Sequence, residues 1–179
     1  MSSGASRVSK ALSDTGPILH LHEIERLDAL GVFTQIEVPA RVALELERLG
    51  LPPAAIRGRL GGAELVVTAP RTEQGDEGDE IGENGLLQPA DRQVLALASR
   101  SRFRLPVLTD DLALRRRVEQ ESGVAVGSVG LLVRSFKLGR CRRSDLDQAV
   151  EALMSRSSLH MSRPFRRYVL ELIRDLADR

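Results

Sequence analysis

The chain has 179 residues, 26 Lys and Arg against 25 Asp and Glu, no Trp and a single Cys. This length suits one domain with a real core, and the lone Cys141 excludes an internal disulfide framework and a Cys-based zinc site, fitting a cytoplasmic thiol. No run is long enough to span a membrane and residues 1–9 lack a signal-peptide core, so a soluble cytoplasmic protein with no membrane partner is expected.

Residues 11–21 set the pattern for the rest. A short apolar run ends at Leu12, Asp14-Thr15-Gly16-Pro17 reads as a turn, and an apolar-periodic segment follows. In an open α/β sheet ligands bind beyond the carboxyl ends of the strands, which places Asp14 for chemistry. Asp is also a common helix cap. Ile18, Leu21, Ile24, Leu27 and Leu30 continue at helical spacing until Gly31, and His20 and His22 read as surface or packing residues. Residues 33–38 read as a second strand and Pro39 as the start of a helix whose stripe is Val42, Leu46 and Leu49. Glu45 lies at the buried edge of that stripe, either as a functional acid or as a boundary residue paired with Arg41 or Arg48.

A break at Pro52-Pro53, a short helix through Ile56 and Leu60, and a β-branched strand over residues 64–68 come next. Residues 71–88 are dense in Gly, Asp and Glu and read as an acidic loop. Pro89 opens a helix with Asp91 in its first turn, as cap or ligand. Residues 105–108 read as a strand ending in Thr109-Asp110-Asp111, and a helix bearing Arg115, Arg116 and Arg117 follows. This repeats the first stretch, and two adjacent acids exceed what one cap needs. Residues 124–126 read as a last strand, 127–130 as a turn, and 131–138 as a helix ended by Gly139. Two tail helices, about 146–154 and 168–176, are joined by a connector containing Pro164. The alternation predicts an α/β fold with a mainly parallel central sheet, helices on both faces and a helical C-terminal tail.

Charge is uneven. Residues 1–99 hold nine Lys or Arg against fifteen Asp or Glu, and residues 100–179 hold seventeen against ten. An Arg-rich half beside an acidic half suits a nucleic-acid backbone held against a carboxylate site, or simply solvated helix faces. Asp14, Glu45, Asp91 and the Asp110/Asp111 pair come from separate elements. Gathered at one sheet edge they would form an oxygen-only cluster that repels itself unless a divalent cation neutralises it. With no suitable Cys or His, Mg²⁺ or Mn²⁺ is the fitting guest, and such ions promote displacement at phosphorus.

The sequences Leu-Ser-Asp14-Thr-Gly-Pro-Ile, Val-Pro39-Ala-Arg-Val-Ala-Leu-Glu45-Leu, Ala-Asp91-Arg-Gln-Val-Leu-Ala-Leu-Ala and Val-Leu-Thr-Asp110-Asp111, in this order, resemble the PIN-domain family. The likeness runs over about residues 8–138 and is nearest to a branch with a doubled acid after strand four. It implies a three-layer PIN-like fold and a metal-dependent ribonuclease, often the toxin of a VapC-type toxin-antitoxin pair. Asp14, Glu45, Asp91 and Asp111 would be the catalytic acids, and Asp110 would join them as a metal ligand for Mg²⁺ or Mn²⁺. Thr15 would support the first turn, and Arg115, Arg116 and Arg117 are candidates for contact with the RNA substrate. Where the branch more often has Glu, this chain has Asp91, with a shorter reach. The expected organisation is a nuclease domain over residues 1–140 and a helical extension over residues 141–179 that packs on the domain or on a partner, an antitoxin or a second copy in a homodimer. A catalytically inactive PIN-like RNA-binding or assembly module is the alternative. A doubly wound phosphotransfer domain fits poorly, because Gly16 stands where a second Asp is needed.

Overall fold

The computed structural model describes residues 10–69 and 87–176. Its strands are β1 (Lys10–Ser13), β2 (Gln35–Pro39), β3 (Glu64–Thr68), β4 (Val107–Leu108) and β5 (Ala125–Val126), and its helices are α1 (Thr15–Glu23), α2 (Ala40–Arg48), α3 (Pro53–Ile56), α4 (Pro89–Arg100), α5 (Leu112–Gln120), α6 (Ser128–Lys137), α7 (Arg143–Ser155) and α8 (Arg163–Arg174). All strand pairs are parallel, in the order β3-β2-β1-β4-β5. Leu12 lies opposite Glu37 on one side and Val107 on the other, so β1 is central.

The strands are short and apolar because the middle of the sheet is covered on both faces. Ala11, Leu12, Ile36, Val38, Val107 and Leu108 are all buried. Right-handed crossovers put α4 and α5 on one face, and α1 and α6 on the other. Consistent with this, α4 touches β1, β2 and α5, while α6 touches α1 and α7. Leu146, Val150 and Leu153 of α7 are buried in the same core as the sheet residues. Among the described residues no helix is long and apolar enough to cross a membrane.

The order of strands fixes the functional edge. Connections from β1 run outward through β2 to β3, and the chain then crosses back to β4 and β5. The gap between the carboxyl ends of β1 and β4 is therefore a topological switch point, where open α/β sheets bind ligands. Helices α1, α2, α5 and α6 all begin directly after a strand at this edge.

Several expected boundaries move. The first helix does not continue to Leu30. It stops at Glu23, Glu25 takes a positive φ of 60°, and a 3₁₀ segment, Leu27–Val32, follows. The amide of Arg26 donates to the Leu21 carbonyl at 2.7 Å, closing the helix end and folding its apolar pattern into a second, tighter turn. Helix α6 begins at Ser128 rather than after Gly130, and α8 begins at Arg163, with Pro164 in its first turn and Ser162 as cap. Pro164 is thus a helix opener, a role its fixed φ and missing N–H suit. The acidic stretch 71–88 lies outside the described residues except for Leu87 and Gln88.

Gly31 is not a helix stop. It lies inside the 3₁₀ segment, and a Cβ there would collide with the backbone carbonyl of Gly61 and meet the Arg140 guanidinium. Because the clash is with backbone, it cannot be relieved by turning a side chain. Gly31→Ala is expected to cost about 1–3 kcal/mol, read as a lower urea midpoint at unchanged m value. An unchanged midpoint would mean that the two glycine segments are not held in contact.

Candidate functional site

Asp14 is the residue between β1 and α1. Its amide donates to the Leu108 carbonyl at 2.9 Å, which ties the end of β1 to the end of β4. This pairing turns the side chain into the switch-point gap, where it is only 8% exposed. One carboxylate oxygen lies 3.4 Å from the Thr109 hydroxyl. Although Asp14 holds the N-cap position of α1, its side chain makes no capping hydrogen bond, which separates it from an ordinary cap. Burial pushes the Asp14 carboxyl up to about 7; nearby Asp91 and Glu45 push the same way, and hydrogen bonds from the Thr15 amide and the Thr109 hydroxyl oppose them.

Glu45 enters from α2, which touches both α1 and α4. It makes neither of the expected Arg pairings. Instead it accepts a 2.6 Å hydrogen bond from the Thr15 hydroxyl. The Thr15 hydroxyl thereby links α1 to α2 through this acid. Asp91 enters from the first turn of α4 and is also 8% exposed. One of its oxygens accepts from the Gln88 amide at 2.8 Å, so it closes the helix start. Its pKa is raised, chiefly by burial and further by Asp111 and Glu45, while the Gln88 amide works against the shift.

The Asp110/Asp111 pair divides its work. Asp110 is held by Ser128 through the amide at 2.8 Å and the hydroxyl at 2.5 Å, and its second oxygen also meets His20 Nδ1 at 2.8 Å. It fastens β4 to the start of α6 and to α1. The backbone approach is tight: a Cβ on Gly127 would come within 2.6 Å of the Asp110 carboxylate. Asp111 caps α5, accepting from the Leu114 amide at 2.7 Å, and its own amide donates to the Thr109 hydroxyl at 3.1 Å. Thr109 thus bridges Asp14 and Asp111.

The arginines of α5 also differ. Arg115 donates to the carbonyls of Ala125 and Thr109 at 3.0 and 3.3 Å, binding α5 to β4 and β5. Arg116 and Arg117 are exposed, and Arg117 lies 3.5 Å from Glu121.

The edge therefore brings Asp91 and Glu45 close enough to Asp14, and Asp111 and Glu45 close enough to Asp91, to raise the Asp14 and Asp91 pKa values, with Asp110 fastened beside them. Among the described residues, however, no three His, Cys, Asp or Glu side chains are arranged to hold a metal ion. Asp91, Asp110 and Asp111 each turn one oxygen toward a backbone amide of their own framework. As folded here, the acids do not fit a preassembled cation centre. Ser128, Thr109 and His20 are the site residues the sequence reading did not assign. The Gly127-Ser128 pair after the last strand was the available signal for Ser128, at the same edge as the other acids' loops.

An open parallel sheet of order 3-2-1-4-5, with buried acids and helix starts at its switch point, defines an α/β domain whose candidate site lies beyond the carboxyl ends of β1 and β4. The chain belongs to the PIN-domain family: the family model described as DUF3368, PIN domain, matches residues 10–175. The match continues beyond the β-sheet through α7 and α8. No curated protein matches the sequence.

Folding raises the Asp14 pKa from 3.8 to about 7. Between those values the folded chain keeps a proton that the unfolded chain has released. The stability contributed by protonated Asp14 is therefore fully present below about pH 4 and is lost as pH rises through about 7. Asp14→Asn cannot ionise, so its melting temperature should rise relative to the parent across this window, with little difference at the acid end. A constant difference across the whole range would show that Asp14 ionises as an exposed carboxyl does.

Proposed function

We propose that this PIN domain is an RNA-binding or assembly module whose edge acids hold the loops and helix starts in place rather than forming a preassembled metal centre. The observation that carries this reading is the commitment of Asp91, Asp110 and Asp111 to amide and hydroxyl donors of the fold itself. Each of these bonds orients its carboxylate toward the framework and takes up part of an acceptor capacity of about four lone-pair sites. RNA contact is assigned to the exposed arginines beside the edge, Arg116 and Arg117 on α5, with Arg115 acting as their support. The surface pair of Arg117 with Glu121 is worth little and yields readily to phosphate.

A second reading, a Mg²⁺- or Mn²⁺-dependent ribonuclease, is favoured by one specific observation. Asp14 and Asp91 are buried with raised pKa values, and neighbouring acids contribute to both shifts. Carboxylates that repel one another in a cleft are a known mark of functional sites. In this reading Asp14, Glu45, Asp91 and Asp111 would act on the phosphodiester bond, with Asp110 joining them as a ligand, and Asp91 and Asp111 would use the oxygens that their capping bonds leave free. A toxin paired with an antitoxin, acting as a homodimer, is the setting in which that activity would be expected.

One experiment separates the two. The purified protein and Asp14→Asn are incubated with a pool of structured RNA in Mg²⁺, Mn²⁺ or EDTA, and both binding and cleavage are followed. The module reading expects no cleavage, with affinities in EDTA and in the variant within about threefold of the parent, since Asp14 offers no phosphate contact. Metal-dependent cutting that disappears in Asp14→Asn would overturn it in favour of the nuclease. Separately, Arg116→Glu with Arg117→Glu should weaken RNA binding and flatten its salt dependence, each lost phosphate contact lowering the slope by about 0.7. An unchanged slope would remove α5 from the interface.

A further inference from the structure

Helix α8 is set apart from the acid edge. The connector before it is anchored at Glu23, whose carboxylate accepts from the Ser158 amide at 2.7 Å and from its hydroxyl at 3.0 Å. Glu23 ends α1, at the opposite end from Asp14. Only Val169 and Ile173 of α8 are buried, which leaves most of the helix surface open.

Two kinds of side chain occupy that open surface. Phe165 and Tyr168 are 43% and 57% exposed, and their rings stack with centroids 6.3 Å apart and planes 23° from parallel. Of the four Phe and one Tyr in the chain, these are the exposed ones, the other three Phe being buried or partly buried. Arg163, Arg167 and Arg174 follow one another at spacings of four and seven residues, so they form a single ridge along the helix. All three are exposed, and among the described residues none makes an ion pair. Arg166, by contrast, is tied to the Met161 carbonyl. Glu171 is the one acid within the helix, and Asp175 follows its end.

We propose that α8 is a docking surface for single-stranded RNA, with a base stacking on the Phe165–Tyr168 pair and phosphates following the Arg163, Arg167 and Arg174 ridge. Charge complementarity selects the occupant. A line of three unpaired guanidinium groups calls for a polyanion, and a symmetric second copy would bring like charge against it. A membrane surface needs a continuous apolar face, but the arginine ridge separates exposed Leu170 from the aromatic pair. Proteins hold single strands without reading sequence by combining aromatic stacking with basic contacts to the backbone, and here the ridge lies about 100–140° around the helix from Tyr168, with Glu171 between them. This surface is distinct from the acid edge and does not depend on which reading of that edge holds.

The sequence supplies its own probe. With no Trp and a single Tyr, the tyrosine emission of the whole protein comes from Tyr168. The full chain is titrated in EDTA with a short oligoadenylate, with AMP at matched absorbance correcting the inner filter and heparin serving as a polyanion without bases. Saturable quenching by the oligonucleotide, without quenching by heparin, is expected. In anisotropy titrations with labelled RNA, Tyr168→Ala should bind about 10-fold more weakly, while Tyr168→Phe, which keeps a ring, should stay within about twofold of the parent. Because Tyr168 lies outside the core, melting curves should match for all three proteins.

Equal quenching by heparin, or unchanged affinity in Tyr168→Ala, would overturn the proposal. So would a concentration-dependent dimer that Tyr168→Ala abolishes while RNA affinity stays the same, because α8 would then be an interface between copies. Repeating the quenching with Asp14→Asn keeps the two sites separable: signal lost only in that variant would belong to the acid edge and count against α8.

Discussion

The hydrogen bond from the Asp14 amide to the Leu108 carbonyl is the contact on which the edge depends. It joins the ends of β1 and β4 at the point where the chain's connections diverge, and so decides which loops meet. Once β1 and β4 are locked, the Asp14 carboxyl has nowhere to go but the gap between them. The cost of that placement is the raised pKa, and the main opposing contacts are local: the Thr15 amide and the Thr109 hydroxyl. Thr109 then passes the constraint on, because the same hydroxyl receives the Asp111 amide and sets the start of α5. A single backbone bond thus fixes two helix starts and the spacing of two acids.

Much of this was legible in the residues, and the reason is periodicity. The repeated design of apolar strand, acid and helix start appears at Leu12–Asp14 and again at Leu108–Asp111, and a parallel sheet has to bring such repeats to one edge. Asp14 and Asp91 were readable as candidate site acids because each sits where the chain turns from one element to the next. The misplaced helix ends have different physical causes. Ile24, Leu27 and Leu30 keep a helical spacing, but nothing in that spacing records that Glu25 adopts a positive φ and that the helix closes before it. The role of Gly31 rests on contact with Gly61, thirty residues away, and no local pattern announces a long-range approach of two backbones.

Partner choice was the least legible layer. Glu45 looked like a candidate for pairing with an arginine one turn away on its own helix, yet it meets Thr15 on α1. Asp110 and Asp111 are neighbours of the same type, but one fastens α6 and the other caps α5. Arg115 was legible as a cation and not as a strut, because its two carbonyl partners belong to β-strand ends that only the sheet brings near. In each case residue type and position were readable, but the hydrogen-bond partner depended on packing between elements far apart in sequence.

Those partners explain how an acid-rich edge stays together. Helices α1, α2, α4, α5 and α6 all start at this side of the sheet, so several sets of unpaired N–H groups and the positive ends of several helix dipoles converge where the carboxylates do. Amides of Leu114, Gln88 and Ser128 are each taken up by one of the acids. The fold therefore supplies from its own backbone part of the positive potential that these carboxylates need. Asp14 is the exception, since it makes no side-chain capping bond and carries the largest burden of burial. If the edge does take up an outside ligand, Asp14 has no capping bond to give up and repulsion from Asp91 and Glu45 to relieve.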